Sequence, residues 1–248
     1  MTTDAERARA GAVTEGFDHA AGSYDRLVGA NPGYHRDLRT SVRRLRLPGD
    51  GEGLRLLDLG CGTGASTAAL VEAVPRARIL AVDASQGMLD VARSKPWPGG
   101  VEFHRARAES LDPEWVAERL GGPVDAVFAA YLIRNVPDPD ALLATVKASL
   151  RPGGRVALHE YSVADSIGAR MVWTAVCRGV IVPAGRLLTG RADLFRYLWR
   201  SVLEFDGAET LSERMRAAGL ESVARASFPG WRYGITHTFL GSRPGGSW

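Results

Sequence analysis

From Leu54 onward the chain alternates short apolar runs with helix-length segments, and this alternation constrains the fold more than any other feature. The apolar runs lie at 54–59, 78–82, 101–104, 124–130 and 155–159; the candidate helices lie at 64–74, 85–94, 113–120 and 139–150. Short runs without polar alternation need cover on both faces, which a parallel sheet flanked by helices supplies. Ser85 is placed to cap a helix, and Arg151-Pro152-Gly153-Gly154 reads as a turn that stops a helix and feeds a strand. A helix at 208–218, closed by Gly219, precedes two strands at 220–228 and 235–241 joined by a turn at 229–234. The expected fold is therefore α/β: a doubly wound, seven-stranded, mostly parallel Rossmann-like sheet with a closing antiparallel hairpin. Residues 1–248 read as one domain. Residues 1–53 form a helical N-terminal cover with a loop around Asn31-Pro32-Gly33, and 162–206 a lid-like insertion rich in Trp173, Phe195, Tyr197, Leu198, Trp199 and Phe205. Both extras would sit above the C-terminal ends of the strands, where open α/β sheets bind ligands.

The strongest local signal is Leu56-Leu57-Asp58-Leu59-Gly60-Cys61-Gly62-Thr63-Gly64, an apolar strand running into a glycine turn that opens a helix. Glycines remove Cβ atoms where backbone must bend sharply and approach a ligand. The spacing is G-x-G-x-G rather than the dinucleotide G-x-G-x-x-G, and Asp58 stands inside an otherwise apolar strand. A carboxylate there can accept hydrogen bonds, directly or through water, from a cationic amino group. Asp83 ends the second run, 19 residues after Gly64, where a ribose diol is gripped in nucleotide-binding sheets. Strand-end acids can also be plain caps; the joint spacing of Asp58 and Asp83 favours the nucleotide reading.

Composition narrows the function class. The formal charge is only +3, acids are interspersed with the arginines, and there is no basic run of the kind that binds nucleic acid. Cys61 and Cys177 belong to no metal-spaced cluster and give no disulfide framework, which points to a reducing, cytoplasmic setting and no metal. The N-terminal 16 residues lack an apolar core. The most apolar stretch, 171–185, is interrupted by Arg178 and Pro183 and falls short of the roughly 18–20 residues a bilayer crossing takes. Peripheral contact with a membrane surface stays open.

Across most of its length the sequence resembles class I S-adenosylmethionine (SAM)-dependent methyltransferases, and more closely the ubiquinone/menaquinone-biosynthesis C-methyltransferases. The resemblance is carried by Phe17-Asp18-x-x-Ala21-x-x-Tyr24-Asp25, the glycine turn at 56–64, the block 82–93, and Leu132-Ile133-Arg134-Asn135-Val136-Pro137-Asp138. Leu150-Arg151-Pro152-Gly153-Gly154, His159-Glu160-Tyr161-Ser162, Phe195-Arg196-Tyr197-Leu198 and a late His237 complete it. It implies a SAM site made from Asp58, Gly60, Gly62, Asp83, Ala84, Met88, Ala108 and Glu109, with Tyr24 folding over it, and S-adenosylhomocysteine as product. Met88 suits a purine face, and Tyr24 offers an aromatic surface to the sulfonium. Arg107 stands where the family usually carries an adenine-binding aspartate, which leaves Glu109 or backbone atoms for that task.

Methyl transfer requires alignment of nucleophile, methyl and sulfur, exclusion of water, and an electron-rich acceptor. Arg134, just past the fourth strand, is the candidate for stabilising a phenolate; Glu160, His237 and His159 are candidate bases; Tyr131 and Tyr161 are candidate positioning groups. The acceptor expected is a small apolar, aromatic or prenylated molecule, with C-methylation of a quinol or phenol as the leading activity. O-methylation of a secondary metabolite, a cyclase that binds SAM without transferring methyl, and a non-catalytic SAM-binding regulator are the alternatives.

Overall fold

The computed structural model describes residues 33–189 and 192–245, together with 11, 14–18, 21, 22, 24, 25 and 29. A seven-stranded sheet runs β1 (Arg55–Leu59), β2 (Arg78–Asp83), β3 (Val101–Arg105), β4 (Val124–Ala130), β5 (Leu150–Tyr161), β6 (Glu221–Ser227) and β7 (Thr236–Ser242). Its spatial order is β3-β2-β1-β4-β5-β7-β6, with parallel pairs from β3 to β5 and antiparallel pairs at β5·β7 and β6·β7. The expected fold class holds, including the closing hairpin.

Side chains alternate across a strand, so each central strand feeds two cores. Leu57, Leu59, Leu80, Val82, Val127, Val156 and Leu158 face one core; Leu56, Ile79, Ala126, Phe128 and Ala157 face the other. Helices α1 (Tyr34–Arg44) and α2 (Ala65–Ala73) cover the second face, through Leu38, Val42, Ala69 and Leu70. Helix α3 (Gln86–Arg93) lies beside β2 and β3, capped by Ser85, whose hydroxyl accepts from the Met88 N–H at 3.1 Å. Helices α4 (Pro113–Leu120) and α5 (Pro139–Ser149) pack on the first face, starting from side-chain caps at Asp112 and Asp138 with proline at the first helical position. The last helix of that face, α9 (Ala208–Ala217), buries Leu211 and Met215.

The structure bears on three expectations. Arg151–Gly154 does not separate a helix from a strand. Strand β5 already begins at Leu150, and the ladder to β4 jumps from Val124↔Leu150 to Ala126↔Arg155, leaving the four residues as a bulge. The bulge survives because Arg243 on the far side pairs with Gly153 and Gly154 through two backbone bonds. Second, much of the helical cover at 1–53 and the Asn31-Pro32 loop lie outside the described residues; within them, helix α1 ends at Arg44 and the chain continues irregularly to Leu54.

The third concerns the insertion. A single helical run crosses Pro183, as α6 (Ile167–Val176), a π turn (Cys177–Ile181) and α7 (Val182–Thr189), before α8 (Asp193–Glu204). Proline has no N–H and crowds the preceding turn, and a widened π turn relieves both conflicts. Trp173 does not face a cavity; it is fully buried with Tyr161, Val163, Val202 and Ile235 in a satellite core.

One buried polar network ties α1 to the sheet. Ser41 Oγ lies 2.8 Å from His159 Nδ1 and 2.6 Å from Thr238 Oγ1, and Arg44 donates to Thr238 Oγ1 at 2.7 Å. Burial and the nearby Arg44 and Arg232 cations push the His159 imidazole down to about 3, so it is neutral in the native state. In the unfolded chain it titrates near its ordinary value of about 6.5. The unfolded state therefore takes up a proton that the native state refuses: the stabilisation is complete above that value and lost as pH falls toward the folded one. His159→Asn should cost about 1–3 kcal/mol near neutrality by stranding its partners. The advantage of wild type over this variant should shrink by up to about 1.4 kcal/mol per pH unit on acidification, read from urea melts at stepped pH; a constant gap would mean that His159 takes up its proton equally in the native and unfolded states.

Candidate functional site

Strand β1 pairs in parallel with both β2 and β4, so the loops leaving β1 and β4 part above the sheet and open a crevice. The cavity there takes in about 1000 Å³ of space continuous with solvent. Its walls come from the glycine turn (Gly60–Thr63), the β2 tip (Asp83–Ser85), Met88, the loop after β3 (Ala106–Glu109), the loop after β4 (Ala130–Val136) and, from the N-terminal segment, Phe17 and Tyr24.

The turn is fixed from below. Gly60 and Cys61 both donate backbone N–H to Val82 O, at 2.8 and 3.0 Å, and Gly62 N–H donates to Asp83 Oδ2 at 2.8 Å. Gly60 has φ 67°, and a Cβ there would come within 2.9 Å of Leu132 Cδ1, so glycine is required on both counts. Asp83 Oδ1 accepts from Ser85 N–H at 2.8 Å. Burial pushes the Asp83 carboxyl above its ordinary range, partly offset by these N–H donors. Asp83 is itself a lining residue of the cavity.

Asp58 is placed differently from expectation. It is fully buried behind the turn and does not line the cavity. Its Oδ2 accepts from Ser66 Oγ at 2.8 Å and Thr67 Oγ1 at 2.6 Å, the first turn of α2, while Oδ1 has no partner among the described residues. Burial pushes its carboxyl up to about 7. It reaches the cavity through Ser66, a lining residue, not by direct contact.

Ala84, Met88, Ala108 and Glu109 all line the cavity, with Met88 and Ala108 buried. Glu109 is already held: Arg107 Nε donates to its Oε1 at 2.8 Å, and Nη2 lies 2.8 Å from the same oxygen. The arginine that replaces the family's acid therefore positions the neighbouring one. Tyr24 lines the opposite wall, edge-on to Phe17 at 6.0 Å. Together the lining residues Met88 and Ala108, the acids Asp83 and Glu109 and the Tyr24 ring supply the apolar, acidic and aromatic groups that suit the nucleoside, diol and sulfonium of SAM.

Two further acids of the Phe17–Asp25 motif hold the segment that carries Tyr24. Asp18 accepts from Ser85 Oγ at 2.5 Å and Gly87 N–H at 2.9 Å, adding a second cap to α3. Asp25 accepts from Thr63 Oγ1 at 2.6 Å and Lys95 Nζ at 2.6 Å. The signal was present in the Phe17–Asp25 motif: its acids clamp the N-terminal segment onto the glycine turn and the α3 start.

The other end of the cavity is built on Tyr131. Its φ of 55° is uncommon for a side chain with a Cβ, and its carbonyl accepts from Asn135 Nδ2 at 2.9 Å and Arg134 Nη1 at 3.3 Å. The Tyr131 hydroxyl lies 2.8 Å from His159 Nε2, and the ring stacks on Tyr34 at 5.6 Å and tilts against Tyr161 at 4.6 Å. Arg134 lines the cavity and forms a buried ion pair with Glu160 Oε1; Arg134 Nε and Glu160 Oε2 have no partner among the described residues. Burial works against the Arg134 charge, but Glu160 more than offsets it and holds the guanidinium above its ordinary value. Burial raises the Glu160 carboxyl, with Arg134 pulling it part of the way back.

Two base candidates are thereby displaced. Glu160 stands behind Arg134 and not on the cavity wall. His237, its cross-strand partner on β7, is taken up by Ser227 Oγ (3.0 Å) and Ser162 O (3.2 Å) and also lies off the wall.

Comparison with known proteins agrees with this architecture. The model of the ubiE/COQ5 methyltransferase family matches residues 2–242. The demethylmenaquinone methyltransferase of Clavibacter sepedonicus is 32% identical over 238 residues, covering 95% of this chain and 92% of that one. The ubiquinone/menaquinone biosynthesis C-methyltransferase of Rhizobium johnstonii is 30% identical, covering 89% and 85%. Among solved structures, the [4+2]-cyclase SpnF superposes with a TM-score of 0.66 at 19% identity over 94% of this chain and 96% of its own. Haemonchus contortus phosphoethanolamine N-methyltransferase 2, solved with SAM, gives 0.64 at 17% identity over 92% and 57%. These two likenesses concern the fold. On the match of sequence, sheet and crevice together, the chain belongs to the ubiE/COQ5 methyltransferase family and is a SAM-dependent methyltransferase.

Proposed function

We propose that the protein transfers the SAM methyl group to a ring carbon of a quinol or related phenol. The observation that carries this reading is Arg134, a buried guanidinium whose Nε–H has no partner among the described residues and which lines the same cavity as the glycine turn and Asp83. The curated relatives named for demethylmenaquinone and ubiquinone/menaquinone methylation support the same acceptor class.

SAM supplies an activated methyl on a sulfonium leaving group. The chain's own residues must make the acceptor carbon electron-rich, and ionising the adjacent hydroxyl does this. Arg134 Nε–H is a directional, permanently charged donor for the resulting phenolate oxygen, carried on a guanidinium that is itself almost wholly buried. Glu160 neutralises part of the guanidinium charge and fixes its plane. Tyr131, with its hydroxyl held by the neutral His159, presents a ring face for the acceptor, and Leu132 and Val136 extend the apolar wall.

Incubation with SAM and a demethylated naphthoquinol should yield a product heavier by one methyl, with carbon-13 label from the SAM methyl appearing on a ring carbon. Label on oxygen, or a rearranged acceptor carrying no label, would overturn the reading.

Arg134 and Glu160 make a paired prediction. Arg134→Gln alone should lose turnover, and also about 3–5 kcal/mol of stability, because Glu160 is left buried and uncompensated. The double variant Arg134→Met/Glu160→Met should recover the stability while turnover stays lost and SAM affinity stays near wild type. Turnover returning with the fold would reduce the pair to a structural element.

Asp83→Ala should weaken SAM binding by about 1.5–3 kcal/mol, the cost of one charge-assisted contact. Titration calorimetry reads this directly, and an unchanged affinity would remove Asp83 from the cofactor site.

A further inference from the structure

The run Ile167–Leu187, comprising α6, the π turn and most of α7, is 21 residues long and by length and composition apolar enough to cross a membrane, yet most of it lies on the surface. Ile167 is 79% exposed, Met171 68%, Val180 62% and Leu187 86%. Isolated exposed apolar residues are ordinary, but four large ones along a single helical run are not. A second segment adds to them. The Gly230–Gly234 turn between β6 and β7 exposes Trp231 and Tyr233, and a Cβ on Gly234 would stand 3.9 Å from the Ala169 Cβ, so this turn abuts the first turn of α6.

We propose that this composite surface docks on an anionic lipid bilayer, lying in the interface plane. The helix cannot cross a bilayer in this fold: Ala169, Trp173 and Cys177 are locked into the satellite core with Tyr161 and Ile235, so only its outer side is available. Its charge selects the partner. Residues 167–189 carry Arg170, Arg178 and Arg186, all exposed, and no acidic residue. Arginines beside exposed aliphatic and aromatic side chains match an interfacial helix: apolar tips enter the acyl boundary, guanidinium groups meet lipid phosphates, and Trp and Tyr sit at the headgroup level. A second copy of the chain is a poorer fit, because a two-fold contact would set these arginines against themselves. The surface also adjoins the catalytic cavity: Trp173 packs on Tyr161 at 4.8 Å, and Tyr197 of α8 donates to Asn135 Oδ1 of the cavity wall at 2.9 Å. Docking there would bring the cavity to the phase in which an apolar acceptor dissolves. This last step rests on the acceptor class proposed above; the docking itself does not.

Vesicle co-sedimentation tests it without cofactor or acceptor, so its failure is separable from failure of the methylation reading. The intact protein should pellet with vesicles of equal parts phosphatidylcholine and phosphatidylglycerol, and far less with phosphatidylcholine alone. Met171→Ser/Leu187→Ser and, separately, Arg186→Glu should each reduce partitioning roughly ten-fold with unchanged thermal melting, since all three side chains are exposed. Absence of binding, equal binding to both vesicle types, or full binding by the variants would overturn the proposal. So would a dimer in sedimentation velocity that the same substitutions dissociate.

Discussion

The position of β1 between β2 and β4 is the constraint from which the site follows. Because β1 pairs in parallel with both, the chain leaves it at the point where the sheet's crossovers change direction, and the connections after β1 and β4 run on to opposite sides of the sheet. The turn must then clear the β4 loop, and Gly60 does so with Leu132 pressed where its Cβ would be. The same reversal sets Asp83, at the tip of β2, below Gly62. A single carboxylate thereby shapes the turn through one oxygen and caps the Ser85 N–H through the other. Sheet order, turn geometry and acid placement are one arrangement.

The cavity wall carries both signs of charge: Asp83 and Glu109 are acids, Arg107 is already paired with Glu109, and Arg134 stands in the loop that also supplies Tyr131 and Leu132. Burying a lone arginine would be prohibitive, and Glu160 beneath it makes the burial tolerable at the cost of lending that carboxylate to structure. The neutral His159 belongs to the same economy. An imidazolium so near Arg44 and Arg232 would raise the positive charge under β5, and burial suppresses it. Around Arg134 the cavity wall therefore offers one directional cation and a set of neutral hydroxyl and ring surfaces.

Much of this was legible in the sequence. Runs of strand length marked all seven strands; in β1, β2 and β4 burial on both faces leaves no polar alternation, whereas the more exposed β3 and β6 were marked by their flanking turns. The bulge at Arg151–Gly154 was not legible: a proline-glycine block signals a turn, and only the pairing of Arg243 across the sheet turns it into a bulge. The glycine turn, Asp83, Met88 and Glu109 gather at the cavity as a strand-tip reading implies. Glu160 and His237 do not, since their direction depends on the register Glu160↔His237 between strands some 77 residues apart, which no local pattern encodes. Asp58 marks the middle case: its strand was correct, but the serine and threonine that claim it belong to the following helix.

The aromatic contacts explain why the insertion cannot be separated from the site. Tyr34 stacks on Tyr131, Tyr131 leans on Tyr161, and Tyr161 packs on Trp173, with centroid separations of 5.6, 4.6 and 4.8 Å. Each ring is placed by a different element: α1, the loop after β4, the end of β5, and α6. Such contacts prefer defined offsets and tilts, so four rings in series allow little independent motion of any one. The inner side of α6 is thus fixed by the residues packed around Tyr131, and its outer side inherits that orientation. A substitution that shrinks Trp173 would loosen Tyr161 and, through it, the Tyr131 backbone held at positive φ. The cover, the cavity wall and the exposed apolar helix are consequently set by one packed line of side chains, even though they lie in separate parts of the sequence.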